Sequence, residues 1–380
     1  MTGRPMRFRI NPFRVRAAVP QPSRAPIREF HRSLPGYQPT PLLELRQLAG
    51  SLGLASILVK DEGHRFGLKA FKGLGASWAI HRLRAVGGPL VTVSSATEGN
   101  HGRAVAWTAR QLGLRAVIFM TRHASPARIQ AIRSEGALVE LVDGNYEDAV
   151  RACAERSAAE GWQVVADVGY DGYLEIPRWI TAGYSTILGE FEEQRAAGQL
   201  PEPEVVVAQA GVGGFAAAVV EHFLQRPRQP RIVIVEPSDA DPLLESALSP
   251  DGRPAPSKGS QGSLMAGLNC STVSLSAWPV LRTGVDVFLS IQDHWALDAM
   301  RRYAHPAPGD PPVVAGESGA AGLAGLLALM EHEPFALARA HLGLGPTTTV
   351  LLVVTEADTD PEAWRRIVNP HVLRKINSGR

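Results

Sequence analysis

Residues 89–120 read PLVTVSSATEGNHGRAVAWTARQLGLRAVIFM, and three different periodicities follow one another within them. PLVTVSS is a β-rich apolar run of strand length. NHGRAVAWTARQLG spaces its apolar residues as a helix does and ends at glycine. RAVIFM is a second buried run. Strand, helix, strand with tight connections is a βαβ unit, and that unit requires a parallel sheet.

Working outward, the pattern repeats. ASILVKD, ALVELV and WQVVAD are further strand-length runs between about residues 55 and 165. Between them lie FKGLGASWAIHRLRAVG, SPARIQAIRSEG and NYEDAVRACAERSAAEG, all helix-like. Ser125 stands before Pro126, and Asn145 before an acidic first turn, as helix starts require. A second series follows, with helix IPRWITAGYSTILGEFEEQRAAG, strand EVVVAQ, a glycine-rich turn, helix FAAAVVEHFLQ and strand RIVIVEP. Residues 237–285 are rich in Ser, Pro and Gly and read as a long ordered excursion. Helices DHWALDAMRRYA and SGAAGLAGLLALM and the buried strand TTTVLLVVTE complete the chain. The expectation is two open α/β units with a cleft between them as the site.

Composition narrows the function classes. The 380 residues are 45% hydrophobic and 20% charged, with a net charge of +2. That is an ordinary globular profile, with no basic block for nucleic acid or an anionic membrane. No run approaches the roughly 20 apolar residues of a membrane span. The arginine-rich N-terminus MTGRPMRFRINPFRVRAAVP lacks an apolar core, so no secretory signal is expected. Cys153 and Cys270 are the only cysteines. They have neither the number nor the spacing of a metal site or disulfide scaffold, and no metal is expected. The default compartment is a reducing cytoplasm.

Four segments depart from the rules of a plain α/β protein, each at a strand end. In Asp61–Gly73, DEGHRFGLKAFKG, Lys72 enters an apolar helix start. A buried lysine is costly unless it is neutral or covalently used, and lysine amines form Schiff bases with carbonyls. The chain has only Lys60, Lys69, Lys72, Lys258 and Lys375. Where arginine is the preferred cation, a retained lysine carries weight. Ser94–Gly102, SSATEGNHG, closes a strand and opens a helix, with small residues that admit an anion. Gln209–Phe215, QAGVGGF, makes a backbone nest for a phosphate. A dinucleotide fingerprint competes there, with Glu236 on the next strand, and the loop alone does not decide. Val353–Asp360, VVTEADTD, brings a hydroxyl and carboxylates off a buried strand; Asp358 and Asp360 are also in place to cap a helix near Pro361.

In this order the segments resemble the fold type II (tryptophan synthase β-like) pyridoxal-phosphate enzymes, and among them the diaminopropionate ammonia-lyase branch. The resemblance runs over almost all of the chain from about Phe30. It rests on FHRSLPGYQPTPLLEL, KDEGHRFGLKAFKGLG, SSATEGNHGRAVAW, VVADVGYDGYLEIPRWITAGYSTI, QAGVGGFAAAVV, LMAGLNC, GESGAAGL and TEADTD. The RFGLxAFK and GYxxIPxWIxxGYxT stretches are specific to that branch, whereas the glycine loop and the GNHG turn belong to the wider fold type.

The resemblance implies two open twisted α/β domains with the cofactor in the cleft between them. Residues 36–76 and 182–380 would form a larger cofactor-binding domain and 77–181 a smaller one, after an extension over 1–35. It implies pyridoxal 5'-phosphate held covalently by Lys72, which later serves as a base for the α-proton. Asn100 would meet the cofactor's 3'-oxygen, Gly211, Val212, Gly213 and Gly214 its phosphate, and Thr355 its pyridine nitrogen. A neutral partner there leaves the ring unprotonated, which suits elimination. Thr97, Asn100 and His101 would surround the substrate carboxylate. Glu98 and Asp167 would be the active-site acids. Glu98 stands where the branch usually has aspartate and the dehydratases serine, and Lys69 where the branch usually has asparagine. The implied reaction is α,β-elimination of 2,3-diaminopropionate to pyruvate and two ammonia through an aminoacrylate. A related lyase, β-replacement synthase or racemase acting on serine, threonine or hydroxyaspartate is the alternative. The implied partner is a small amino acid, with no nucleic acid or membrane, and the implied assembly is a homodimer.

Overall fold

A computed structural model describes residues 4–16, 24–87, 89–97 and 99–369. Among them eleven strands form two sheets. The strands are β1 (Arg7–Ile10), β2 (Leu42–Glu44), β3 (Ser56–Asp61), β4 (Thr92–Ala96), β5 (Arg115–Thr121), β6 (Leu138–Val142), β7 (Gln163–Val164), β8 (Val205–Gln209), β9 (Arg231–Pro237), β10 (Val287–Ile291) and β11 (Thr349–Val354). The smaller sheet has the order β6-β5-β4-β7 and is wholly parallel. The larger has the order β1-β10-β9-β8-β11-β3-β2, parallel except at its two edges, where β1 and β2 run antiparallel.

Strand β8 shows why the larger sheet lies at the centre of the protein. All of VVVAQ is buried. Val206 and Ala208 face one apolar cluster with Leu351, Val353 and Ile234, while Val205 and Val207 face the other with Leu352, Val354 and Val235. Apolar residues at every position, divided by the period of two, are what a strand covered on both faces needs. The first cluster continues through Leu74, Ala76, Ala79 and Ile80 of the helix Lys72–Val86 to Val93, Ile118 and Met120 of the smaller sheet. One helix thus joins the two sheets. Its close neighbour is the helix Glu175–Gly183, where a Cβ on Gly183 would stand 2.6 Å from Leu74 O, so only glycine fits.

Two elements differ from the expectation. The stretch read as a single helix over IPRWITAGYSTILGEFEEQRAAG is two, Glu175–Gly183 and Ser185–Ala197. At the break the buried Tyr184 ring packs 4.6 Å from that of Phe71. Residues 1–35, expected as an extension, contribute β1 to the edge of the larger sheet, where Arg7 pairs with Asp241 at 2.5 Å and Arg4 with the same carboxylate at 2.9 Å.

A dry ion cluster holds the turn that leads to Lys72. Lys60, Glu62, Arg65 and Glu190 are each at most 1% exposed. Arg65 meets both Glu62 oxygens (2.8 and 2.9 Å) and both Glu190 oxygens (2.8 Å each). Lys60 Nζ lies 2.8 Å from Glu190 and 2.7 Å from Thr40 O. Two cations and two carboxylates balance, and the remaining lone pairs take hydrogen bonds from Tyr37 and Thr40.

Removing one member strands the others without water, a loss of about 3–5 kcal/mol for a broken buried pair. Glu190→Gln should therefore lower the unfolding free energy measured by urea denaturation by that much. Burial raises the Glu190 pKa, but Arg65 and Lys60 outweigh it and hold the carboxyl below its ordinary 4.5. Its contribution is then present above that value and lost as the pH falls below it. The variant's stability should fall less steeply with acid than the wild type's; equally steep curves would remove Glu190 from this role.

Candidate active site

The segment before Lys72 is sewn to the end of β11. Ala70 forms a bridge with Glu356, Ala357 N donates to Lys69 O at 2.9 Å, and Phe71 N donates to Thr355 O at 3.1 Å. Lys69 takes a left-handed conformation (φ 58°), which costs a non-glycine residue about 1–2 kcal/mol. Its Nζ lies 2.8 Å from Asp358 Oδ1. Asp358 is thus an ion-pair partner, while Asp360 caps the helix Pro361–Val368 by accepting from Ala363 N.

Lys72 begins its helix, and its Nζ lies 2.5 Å from Asp167 Oδ2. Burial disfavours the ammonium, but the Asp167 charge outweighs it and raises the Lys72 pKa above the usual lysine value. Burial likewise opposes ionisation of Asp167, yet the charge and hydrogen bond of the Lys72 ammonium hold its carboxyl well below the ordinary range. The loop carrying Asp167 is braced by Tyr173, whose hydroxyl accepts from Ala166 N (3.0 Å) and donates to Val164 O (3.1 Å). Gly169 N donates to Ser274 Oγ at 2.8 Å on the other side. His101 lies behind the carboxylate. Burial depresses its pKa, so the ring is neutral. Nε2 is 2.9 Å from Val165 O, which only accepts, so the proton is there. Nδ1 is left as a buried lone pair with no hydrogen-bond partner, 3.8 Å from Asp167.

The GNHG turn and the glycine turn supply the remaining walls. Thr97 Oγ1 accepts from Gly99 N (3.1 Å) and Gly102 N (3.3 Å), capping the helix Asn100–Gln111. Asn100 Nδ2 donates a short hydrogen bond to Glu356, whose other oxygen accepts from Ser318 N at 3.3 Å. Glu98 lies outside the described residues. In the glycine turn Gly213 has φ +100°, and the helix Gly214–Leu224 that follows has no side-chain cap. A Cβ on Gly211 would stand 2.8 Å from Cys270 Sγ, and one on Gly213 2.7 Å from Leu281. Burial pushes the Cys270 thiol up to about 12, so it is protonated and unreactive. Thr355 Oγ1 receives a hydrogen bond from Gln209 Nε2 at 2.8 Å.

These residues fit pyridoxal phosphate. An uncapped helix N-terminus behind a turn too tight for side chains accepts a phosphate, a lysine faces the cleft for the aldehyde, and a hydroxyl ends the central strand. The family model that describes pyridoxal-phosphate dependent enzymes matches residues 34–356. The chain belongs to that family. Two curated relatives are diaminopropionate ammonia-lyases. The one from Salmonella typhimurium is 40% identical over 363 residues, 89% of this chain and 90% of the relative. That from Escherichia coli (strain K12) is 38% identical over 361 residues, 90% of each. Among solved structures, the Escherichia coli diaminopropionate ammonia lyase in complex with an aminoacrylate-PLP azomethine reaction intermediate superposes with a TM-score of 0.89. It is 36% identical, and 97% of both chains is covered. Maize serine racemase, at 22% identity and a TM-score of 0.72, shares the fold.

The structure of this family member thus brings Lys72, Asp167 and His101 into direct contact, and Asn100 to the end of β11. His101 backs the aspartate, and Thr97 caps a helix. Four residues of the site were missed: Glu356, Gln209, Tyr173 and Cys270. Glu356 and Gln209 stand inside segments already singled out, at strand ends, and their polar character was the available signal. Tyr173 lies in the GYxxIPxWIxxGYxT stretch and Cys270 ends LMAGLNC, and membership of those stretches was the available signal.

Asp167→Asn leaves Lys72 with burial alone, which lowers an amine's pKa. Covalent capture of pyridoxal phosphate needs the neutral amine. The pH midpoint for capture by cofactor-free protein, followed by visible absorbance, should move down in the variant. An unchanged or higher midpoint would contradict the pairing.

Proposed function

We propose that the chain catalyses α,β-elimination of 2,3-diaminopropionate to pyruvate and two molecules of ammonia with pyridoxal phosphate. One observation carries the choice of substrate. The Lys72 ammonium sits 2.5 Å from Asp167, the contact that a second amino group on a substrate's β-carbon would take once Lys72 is committed to the cofactor. The hydroxyl leaving group of serine or threonine brings no charge for that carboxylate to hold. The 38–40% identity to diaminopropionate ammonia-lyases supports the same reading.

Bound pyridoxal phosphate withdraws electrons from the substrate's α-carbon and makes its proton acidic. The rest falls to the protein. Gly211, Val212, Gly213 and Gly214 would hold the phosphate through their backbone N–H groups. Asn100, its amide aimed by Glu356, would meet the 3'-oxygen, and Thr355 would face the pyridine nitrogen. Lys72 Nζ would hold the cofactor at rest and serve as the base for the α-proton. The β-amino group, held as an ammonium by the Asp167 carboxylate, departs with the C–N bonding pair as ammonia, and the released aminoacrylate tautomerises and takes up water to give pyruvate and the second ammonia. Of the three residues expected around the substrate carboxylate, Thr97 and Asn100 would line that end, while His101 stands behind Asp167. Glu98 takes the α-proton of the opposite enantiomer.

The same reading divides the chain into a larger unit over 36–76 and 182–380 and a smaller one over 77–181. The membership of the two sheets supports this, since β4 to β7 all fall in the latter range. It also takes the enzyme as a cytoplasmic homodimer. Both cysteines are free, as a reducing compartment requires, and no described helix is long and apolar enough to cross a membrane.

Pyruvate or 2-oxobutyrate release from D- and L-2,3-diaminopropionate, serine and threonine tests the assignment. Diaminopropionate should be preferred, and a preference for serine or threonine would reject it. Lys72→Ala should lose both the visible absorbance of bound cofactor and turnover; retention of both would remove the lysine from its role. Glu98→Gln should slow one enantiomer by about 10²–10⁴-fold, the usual worth of a positioned base, and spare the other. Equal losses on both would deny Glu98 a face-specific part.

A further inference from the structure

Gln209 ends β8, and its side chain is buried beneath the end of β11. Nε2 lies 3.0 Å from Val353 O, 3.2 Å from Ser318 O and 3.4 Å from Gly319 O. Carbonyl oxygens only accept, so the atom among them has to be the nitrogen. The flipped amide would set its oxygen against three others and strand both N–H groups. The same nitrogen is 2.8 Å from Thr355 Oγ1. A carboxamide nitrogen has no lone pair to offer, so Thr355 is the acceptor in that contact. The hydroxyl's single proton is therefore directed elsewhere.

We infer that Gln209 is a positioning residue that sets the polarity of Thr355, turning its hydroxyl proton into the cleft as a donor to the cofactor's pyridine nitrogen. This rests on the reading of Thr355 as the residue facing that nitrogen, and goes one step behind it. A free threonine hydroxyl rotates and either donates or accepts. Beside a pyridine nitrogen the first choice keeps the nitrogen neutral, and the second favours its protonated form. The Gln209 amide removes the choice. It does so from two residues before Gly211, so the strand that delivers the phosphate turn also governs the other end of the ring.

The test uses full-length holoenzyme reconstituted with pyridoxal phosphate carrying nitrogen-15 in its ring, read by NMR. The wild-type resonance should lie where a neutral, hydrogen-bonded pyridine does; a pyridinium position overturns the inference whatever the variants do. Gln209→Met takes the donor from Val353 O. The Thr355 hydroxyl should then turn to that carbonyl, present a lone pair to the ring and move the resonance toward pyridinium. Thr355→Val separates the two claims by deleting the hydrogen bond, which should shift the wild-type resonance. If Thr355→Val leaves it unmoved, Thr355 does not face the nitrogen and the underlying reading fails. If Thr355→Val moves it and Gln209→Met does not, Thr355 keeps its place and the role of Gln209 is rejected.

Discussion

The constraint behind the whole site is a small volume of charge that water does not reach. Lys60, Glu62, Arg65 and Glu190 neutralise one another there, and two of them, Glu62 and Arg65, belong to the turn between β3 and Lys72. Apolar side chains would fill such a space at less cost in desolvation, but they would not dictate a backbone path. Bidentate arginine–carboxylate contacts have a fixed geometry. They tie the turn to the helix Ser185–Ala197 through Glu190. The chain emerges in one direction, strained at Phe66 and Lys69, and Lys72 enters its helix facing Asp167.

Hydrogen-bond polarity organises the cleft in the same way. Each flexible polar group is left with one role because its other role is already occupied. His101 gives its proton to Val165 O and keeps a bare Nδ1. Asn100 Nδ2 is aimed by Glu356, which is itself held by Ser318 N. Thr97 spends its lone pairs on a helix start, and Thr355 accepts from Gln209. Fixed dipoles of this kind need no reorganisation when charge develops, which is how enzymes stabilise transition states most effectively.

Much of this was legible in the residues. The βαβ alternation, the all-apolar central strands and the glycine turn follow from periodicity and local geometry, and the structure has them where the sequence suggests. Asn145 caps its helix with Asp148 in a capping box, as its acidic first turn implies. Other elements were invisible because nothing local makes them. RFRI in β1 is too short to show a period and becomes a strand only by pairing with β10. The continuous helical pattern is interrupted at Tyr184, whose buried ring packs against Phe71.

Sequence alone determined the parallel α/β class, the lysine that departs from its apolar surroundings and the turns that admit an anion, since these depend on neighbours within a few residues. Only the tertiary structure decided which groups face one another: Asp167 against Lys72, Glu356 against Asn100, Gln209 against Thr355. Those pairs join distant strand ends. Their geometry, and with it the direction of every proton in the cleft, exists only once the two sheets are packed on a common helix.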